Sequence, residues 1–441
     1  THCISSAASD VYKRQVIIML GELALGRKTG HGAVGAYQSI SKRFKWLGWL
    51  GIAAAALIFS FYSALGGYCL RYVVVNFGNL IGAEFGTNGV GGADVFQGLL
   101  SQPDVSIAFA LAFMLITMLV VMSGVGGGIE RVCSVGMPAL FFILIICIIR
   151  SCTLPGAADG LKYMFVPGWA VANGIIDEAP GFWKVLTAAG GQMFFSLSLG
   201  AGVMITYGSY LDKKQDLGKS AMIIVGMDTV VALMAGLCVI PGRFAMDPNG
   251  ALGGPELLFI TMQNVFDKMG PAGPVFGILF YLLVFFAAIS SSISMLEVIV
   301  AHFCDKAREK GKGDRRKLYS AIAVVICAAL CALVCADGMG SNHISPAELL
   351  GLAGAKLPGW STSWLGLFDS VAEGLLMPLG ALLMCLMISW ELKPDTLRQE
   401  ILLNGENRPW VYDFFRLCVK YITPLCMLMI LYGQISDFFI V

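Results

Sequence analysis

Ten apolar runs divide this chain, and nine of them are long enough to cross a hydrocarbon layer. Their limits are 16–27 (a short one), then 46–76, 104–123, 132–151, 184–211, 218–242, 273–304, 318–336, 366–390 and 411–438. A spanning helix needs roughly 20 mostly apolar residues. Backbone facing lipid has to satisfy its own polar groups, so each run is predicted to be helical. The composition agrees: 57% of the 441 residues are hydrophobic and 13% are charged, against roughly 25% charged in soluble domains. One large soluble core is no explanation, because such cores stop growing at about 250–300 residues. The chain is expected to be an all-α polytopic membrane protein with membrane lipid around it. A net charge of +1 gives no sign of a nucleic-acid partner.

Charge orients the runs. Loops 27–45, 124–131, 211–219, 305–317 and 391–410 together carry nineteen Lys and Arg, whereas 77–103, 152–183, 243–272 and 337–365 carry four. The first set belongs in the cytoplasm. The short run then enters from outside, which leads to the expectation of one more span before it. Residues 1–15 are polar, lack the apolar core of a signal peptide, and resemble a translated sequencing adapter. They are read as a foreign prefix, and 16–438 as the membrane domain. Outside, the stretch 254–268 reads as a short amphipathic helix. It is either a lid over a cavity or a surface helix.

Polar residues at membrane depth are costly and usually face a cavity or a partner. Gln192 to Gly202 places Ser196, Ser198, Gly200 and Gly202 in mid-span. An interrupted helix would expose half-helix termini able to bind ions and charged substrate groups. Close packing through small residues is the equal alternative. Ser290, Ser291, Ser292 and Ser294 give four hydroxyls on adjacent turns. They are either oxygen ligands for a hard cation or hydroxyls bonded back to the preceding turn. Glu22, Asp228 and Glu297 are lone carboxylates in apolar runs. Asp228, the deepest, needs a cation, a donor or a proton. Glu297, nearer the cytoplasm, reads as a solvated or helix-bonding acid.

Other signals are weak. Cys327, Cys331 and Cys335 share one helix face, most simply as small apolar filler. Gly124 to Gly128 lacks the Gly-Lys-Ser/Thr ending of a phosphate loop. His2, His31, His302 and His343 have no metal spacing, and no nucleophile–base pair suggests an enzyme.

Several segments together resemble the bacterial branch of the neurotransmitter:sodium symporter family. Gly21-Glu22 through Gly26-Arg27 is similar to the end of that family's second span, and Ser60-Phe61-Tyr62-Ser63 to its third. Gly128 to Arg131 with Met137-Pro138 resembles the start of the fifth, and Ala157 to Leu161 the loop after it. Gln192 to Gly202 resembles the unwound sixth span, Ser290 to Ser292 the eighth, and Lys420 to Pro424 the last. The resemblance covers about residues 16–438.

It implies a leucine-transporter-like five-plus-five inverted repeat, here lacking the first span and part of the second. It implies sodium ions and no organic cofactor, an amino-acid substrate, and the bacterial inner membrane. The substrate residues it implies are Tyr62 for the carboxylate and the backbone around Phe195, Ser196 and Ser198 for the ammonium. Phe195 would be the outer lid, and Ile58, Ser198, Ala201, Ser291 and Met295 the side-chain pocket. One sodium site would use Ala287, Ser290 and Ser291, and the other Ser196 and Asp228. Both are completed by the expected first span, which also carries the outer-gate arginine. Its acidic partner would be Asp369 or Glu373.

Two departures from the family pattern matter. The family usually has Asn at position 228 and, in its animal members, a nearby chloride. Asp228 supplies a fixed negative charge instead, implying chloride-independent transport. Ala201 replaces a bulky aromatic of the bacterial leucine transporter, implying a larger pocket for a bulky hydrophobic or aromatic neutral amino acid. Proton coupling through Asp228 and a non-transporting sensor or scaffold on the same fold are the rival readings.

Overall fold

The computed structural model describes residues 2–87, 89–249, 253–313, 315–352, 357–392, 396–402 and 409–439; the side chains of 1–15, 409–410 and 437–439 lie outside the described set. Among the described residues all regular structure is helical. The principal helices are α1 (His2–Thr29), α2 (Lys45–Ile81), α3 (Pro103–Met122), α4 (Glu130–Cys152), α5 (Phe182–Leu197), α6 (Val203–Gly208), α7 (Leu217–Met246), α8 (Gly273–Glu309), α9 (Arg316–Asp337), α10 (Trp364–Asp369), α11 (Met377–Leu386) and α12 (Thr423–Phe439). The backbone of 2–15 belongs to α1, so the prefix runs straight into the short apolar run.

Eight helical stretches among the described residues are long and apolar enough to cross a membrane. The ninth expected span, 184–211, is divided into α5 and α6. Three spans carry wide π turns, at Val125–Ile129 before α4, at Ser370–Leu376 and Met387–Glu391 on either side of α11, and at Cys418–Ile422 before α12. Hydropathy counts apolar residues along a stretch and is blind to such a change of winding.

Burial separates inner helices from lipid-facing ones. In α2, 67% of the most apolar window is buried, against 11% in α7 and 17% in the α4 stretch. On α4, Val135, Phe142 and Ile149 are 69%, 68% and 60% exposed, an apolar surface unsuited to water. The centre is built on α2 crossing α8 and α3. A Cβ on Gly67 would lie 2.5 Å from the Ala110 nitrogen, so the α2 and α3 backbones touch there and only glycine fits.

The stretch 254–268 is helical, with a π turn at Leu257–Thr261 leading into the Met262–Lys268 helix. One face is packed inward and the other is exposed, as an amphipathic pattern requires. Phe259, Thr261, Gln263 and Val265 are fully buried. Phe259 stacks on Phe96 at 5.4 Å and lies 5.2 Å from Tyr72. Gln263 accepts from Asn76 at 2.9 Å, which anchors this outer helix to α2.

Candidate functional site

The sixth-span break falls where the Gly and Ser residues cluster. α5 ends at Leu197 and α6 starts at Val203. Between them Ser198 has φ 51°, Gly200 φ 81° and Gly202 φ 75°. A left-handed Ser is strained by about 1 kcal/mol or more, and the glycines adopt that conformation freely. Each half-helix therefore presents terminal carbonyls or amides that have no partner within its own helix. Close packing, the alternative reading, is present as well. Gly200 lies against the Met377 carbonyl of α11 with no room for a Cβ, and a Cβ on Gly51 of α2 would sit 3.1 Å from Ala201.

Glu22 holds this segment from α1. It is 1% exposed and accepts the Gly200 N–H at 2.7 Å through Oε1. An orphan amide of the break thus finds its acceptor in a lone carboxylate of another span. The sequence singles out Glu22 by its apolar surroundings without naming its partner.

Tyr62 on α2 meets Phe195 on α5 edge to face, with ring centroids 6.3 Å apart. The Tyr62 hydroxyl lies near the Ser291 side chain of α8. Three of the expected substrate residues are therefore neighbours, on three different helices. Ile58, Ala201 and Met295 are buried, at 1%, 0% and 4% exposure, while Ser291 is exposed. Ser196 donates to Asp228 Oδ1 at 2.5 Å, joining α5 to α7.

The hydroxyl cluster on α8 divides by direction. Ser290 donates to the Ala287 carbonyl at 2.8 Å, so two members of one expected sodium set touch. Ser292 is buried against Thr117 of α3 at 2.8 Å and bonds back to Ile289. Ser294 bonds back to Ser290 and meets the Tyr207 hydroxyl at 2.8 Å. Back-bonding thus accounts for three of the four, and Ser291 is the one placed near Tyr62. Asp369 and Glu373, on either side of the start of the π turn, are close enough to interact electrostatically.

The expectation for Glu297 is overturned. It is 1% exposed and takes both Arg316 Nη atoms, at 2.6 and 2.9 Å, with Tyr210 donating at 2.6 Å. It is the centre of a buried ion pair joining α8, α9 and the segment after α6. Arg316 sits in the basic loop, where sequence reading sees only solvated charge. Arg27 was missed for the same reason: it is 4% exposed. Among the described residues no group of His, Cys, Asp and Glu side chains is placed to hold a metal ion. Cys327, Cys331 and Cys335 are buried.

The model of the sodium:neurotransmitter symporter family matches residues 93–439. An uncharacterised sodium-dependent transporter of Bacillus subtilis is 36% identical, over 95% of this chain and 86% of its own length. One from Methanocaldococcus jannaschii is 27% identical, over 87% of this chain and 73% of its own. Among solved structures, MhsT in complex with L-phenylalanine superposes with a TM-score of 0.79 at 31% identity, covering 97% of this chain and 91% of that one.

Proposed function

The chain belongs to the sodium:neurotransmitter symporter family, and from that premise we propose that it drives symport of a neutral, bulky hydrophobic or aromatic L-amino acid with sodium, without chloride. It is an integral membrane transporter rather than an enzyme. The bacterial cytoplasmic membrane is the proposed location.

The observation that carries the reading is the Ser196–Asp228 contact beside the broken span. A sodium ion in a low-dielectric site needs a compensating charge, and a carboxylate there supplies it without a chloride. Ala287 and Ser290 are the proposed partners of the second ion, with Ser291. The substrate assignment takes Tyr62 for the carboxylate and the frayed backbone at Phe195, Ser196 and Ser198 for the ammonium. The pocket would be lined by Ile58, Ala201, Ser291 and Met295. An apolar lining disfavours charged side chains, which would be buried unpaired. The phenylalanine bound to MhsT supports a hydrophobic substrate. Phe195, with Asp369 or Glu373, is the proposed outer gate.

The test is uptake of labelled Phe, Trp, Leu and Ala by the full-length gene product in liposomes. Uptake is expected to follow an inward sodium gradient and to survive replacement of chloride by gluconate. Loss of uptake in gluconate would remove the role given to Asp228. Uptake that tracks a pH gradient and ignores sodium would establish proton coupling instead. Ala201→Phe is expected to weaken Trp and Phe binding more than Leu or Ala binding, and equal effects on all four would refute the pocket assignment.

A further inference from the structure

Arg27 ends the apolar run of α1 on the Lys/Arg-rich side, yet it is 4% exposed. Its guanidinium serves two separate segments. Nη1 donates to the Gln215 carbonyl at 2.5 Å and to Asp212 O at 3.4 Å, in the turn after α6. Nε and Nη2 donate to Glu400, at 2.8 Å to the carboxylate and 2.6 Å to its carbonyl. Glu400 lies in the short Arg398–Ile401 helix between α11 and α12, and its side chain is 12% exposed.

The rest of α1 is fixed to the inner half of the broken span. Glu22 takes the Gly200 amide at the upper end. Lower down, Gly26 lies against the Ile205 carbonyl, and a Cβ on Gly208 would sit 2.6 Å from Leu23 O. α1 therefore splints residues 200–208, through the Glu22 carboxylate at one end and close backbone approaches at Gly26 and Gly208. The Arg27–Glu400 pair differs in kind. It reaches a short helix outside the splint, and one rotamer change of Glu400 would release the carboxylate and leave Arg27 only the Glu400 carbonyl.

We propose that Arg27 and Glu400 form a latch on the cytoplasmic face that holds the segment after α6 closed, and that its release sets the rate of opening toward the cytoplasm. Arg27 is a positioning residue: it acts through the carbonyls of Asp212 and Gln215. A planar guanidinium suits this role because it serves the carboxylate and several carbonyls at once. The last clause of the proposal rests on the transport reading; the latch itself does not.

Glu400→Gln keeps the shape and exchanges a charge-assisted bond for a neutral one. Hydrogen exchange of the chain in lipid nanodiscs is expected to rise roughly tenfold at residues 209–216, which make no direct contact with the substituted side chain, as well as at 397–402. Glu400→Asp, which keeps the charge, is expected to show a smaller rise and guards against a folding defect in the first variant. Asp159→Asn, an exposed acid paired with Lys162, is the control and is expected to change neither segment. In the full-length protein, Glu400→Gln is expected to change the maximal uptake rate while KM stays within twofold. Faster exchange confined to 397–402, with 209–216 unchanged, would overturn the latch. A change in KM alone would overturn its role in rate. Absence of uptake of every amino acid by the unsubstituted protein would instead sink the transport reading and leave the exchange result standing.

Discussion

Replacing Glu297 by Gln removes the charge from a deeply buried ion pair. Both Glu297 oxygens are engaged by Arg316, and Tyr210 adds a third donor. Two unit charges about 4 Å apart attract by about 4 kcal/mol at an effective dielectric constant near 20. Removing one member of such a pair typically costs 3–5 kcal/mol, since the other is left buried and unpaired. Gln keeps one acceptor oxygen but turns an amide NH₂ toward the guanidinium, so a loss of about 3 kcal/mol is expected. The assay is thermal unfolding followed with a thiol-reactive fluorophore, because most of the described cysteines are free and buried. At about 2 °C or less per kcal/mol for a chain this long, the midpoint should fall by about 5 °C. Arg316→Met alone should cost a similar amount. The double variant should cost less than the two single losses added together, because no uncompensated charge remains. Additive losses, or a fall below 1 °C for Glu297→Gln, would refute the claim that the pair acts as one buried unit.

Three further outcomes follow from the geometry. Glu22→Ala leaves the Gly200 amide without its acceptor, costing about 1–3 kcal/mol; faster hydrogen exchange at 198–202 checks it. Gly200→Ala meets both a φ of 81° and the Met377 carbonyl, so monodisperse protein on size-exclusion chromatography is not expected, whereas Gly98→Ala, with open space around it, should purify normally. Asp267, in the outer helix, has its carboxyl pushed above the usual range by burial, with the Gln263 hydrogen bond opposing. A carboxyl raised in the folded state binds its proton there after the unfolded chain has released it. Stability should therefore fall as pH rises from the ordinary Asp range through the folded value. Asp267→Asn should raise the unfolding midpoint at pH 7 and lose that advantage near pH 4, and an equal gain at both would refute it.

The individual polar contacts show where sequence legibility stops. Gln192 to Gly202 could be read as a break because local chemistry, Gly and Ser at mid-span, is what unwinds a helix. Its alternative, close packing, turned out to be part of the same feature: Gly200 is left-handed and is also pressed on α11. The four Ser hydroxyls of α8 looked equivalent in one dimension. Their rotation about the helix axis, and the neighbour each one meets, separates Ser291 at Tyr62 from Ser292 at Thr117. Arg27 and Arg316 carried no sign of their partners, because a basic residue at the end of a span looks the same whether water or a carboxylate receives it.

The sequence by itself determined that the chain is helical, membrane-embedded and oriented with its basic loops on one side. Each of these follows from the solvent a stretch of residues prefers, a property that adds up locally. Only the tertiary structure decided which donor Glu22, Glu297 and Glu400 serve: the unwound backbone, Arg316 and Arg27. Pairing depends on the approach of helices far apart along the chain, and the demand of a buried charge for a partner does not say which partner will come.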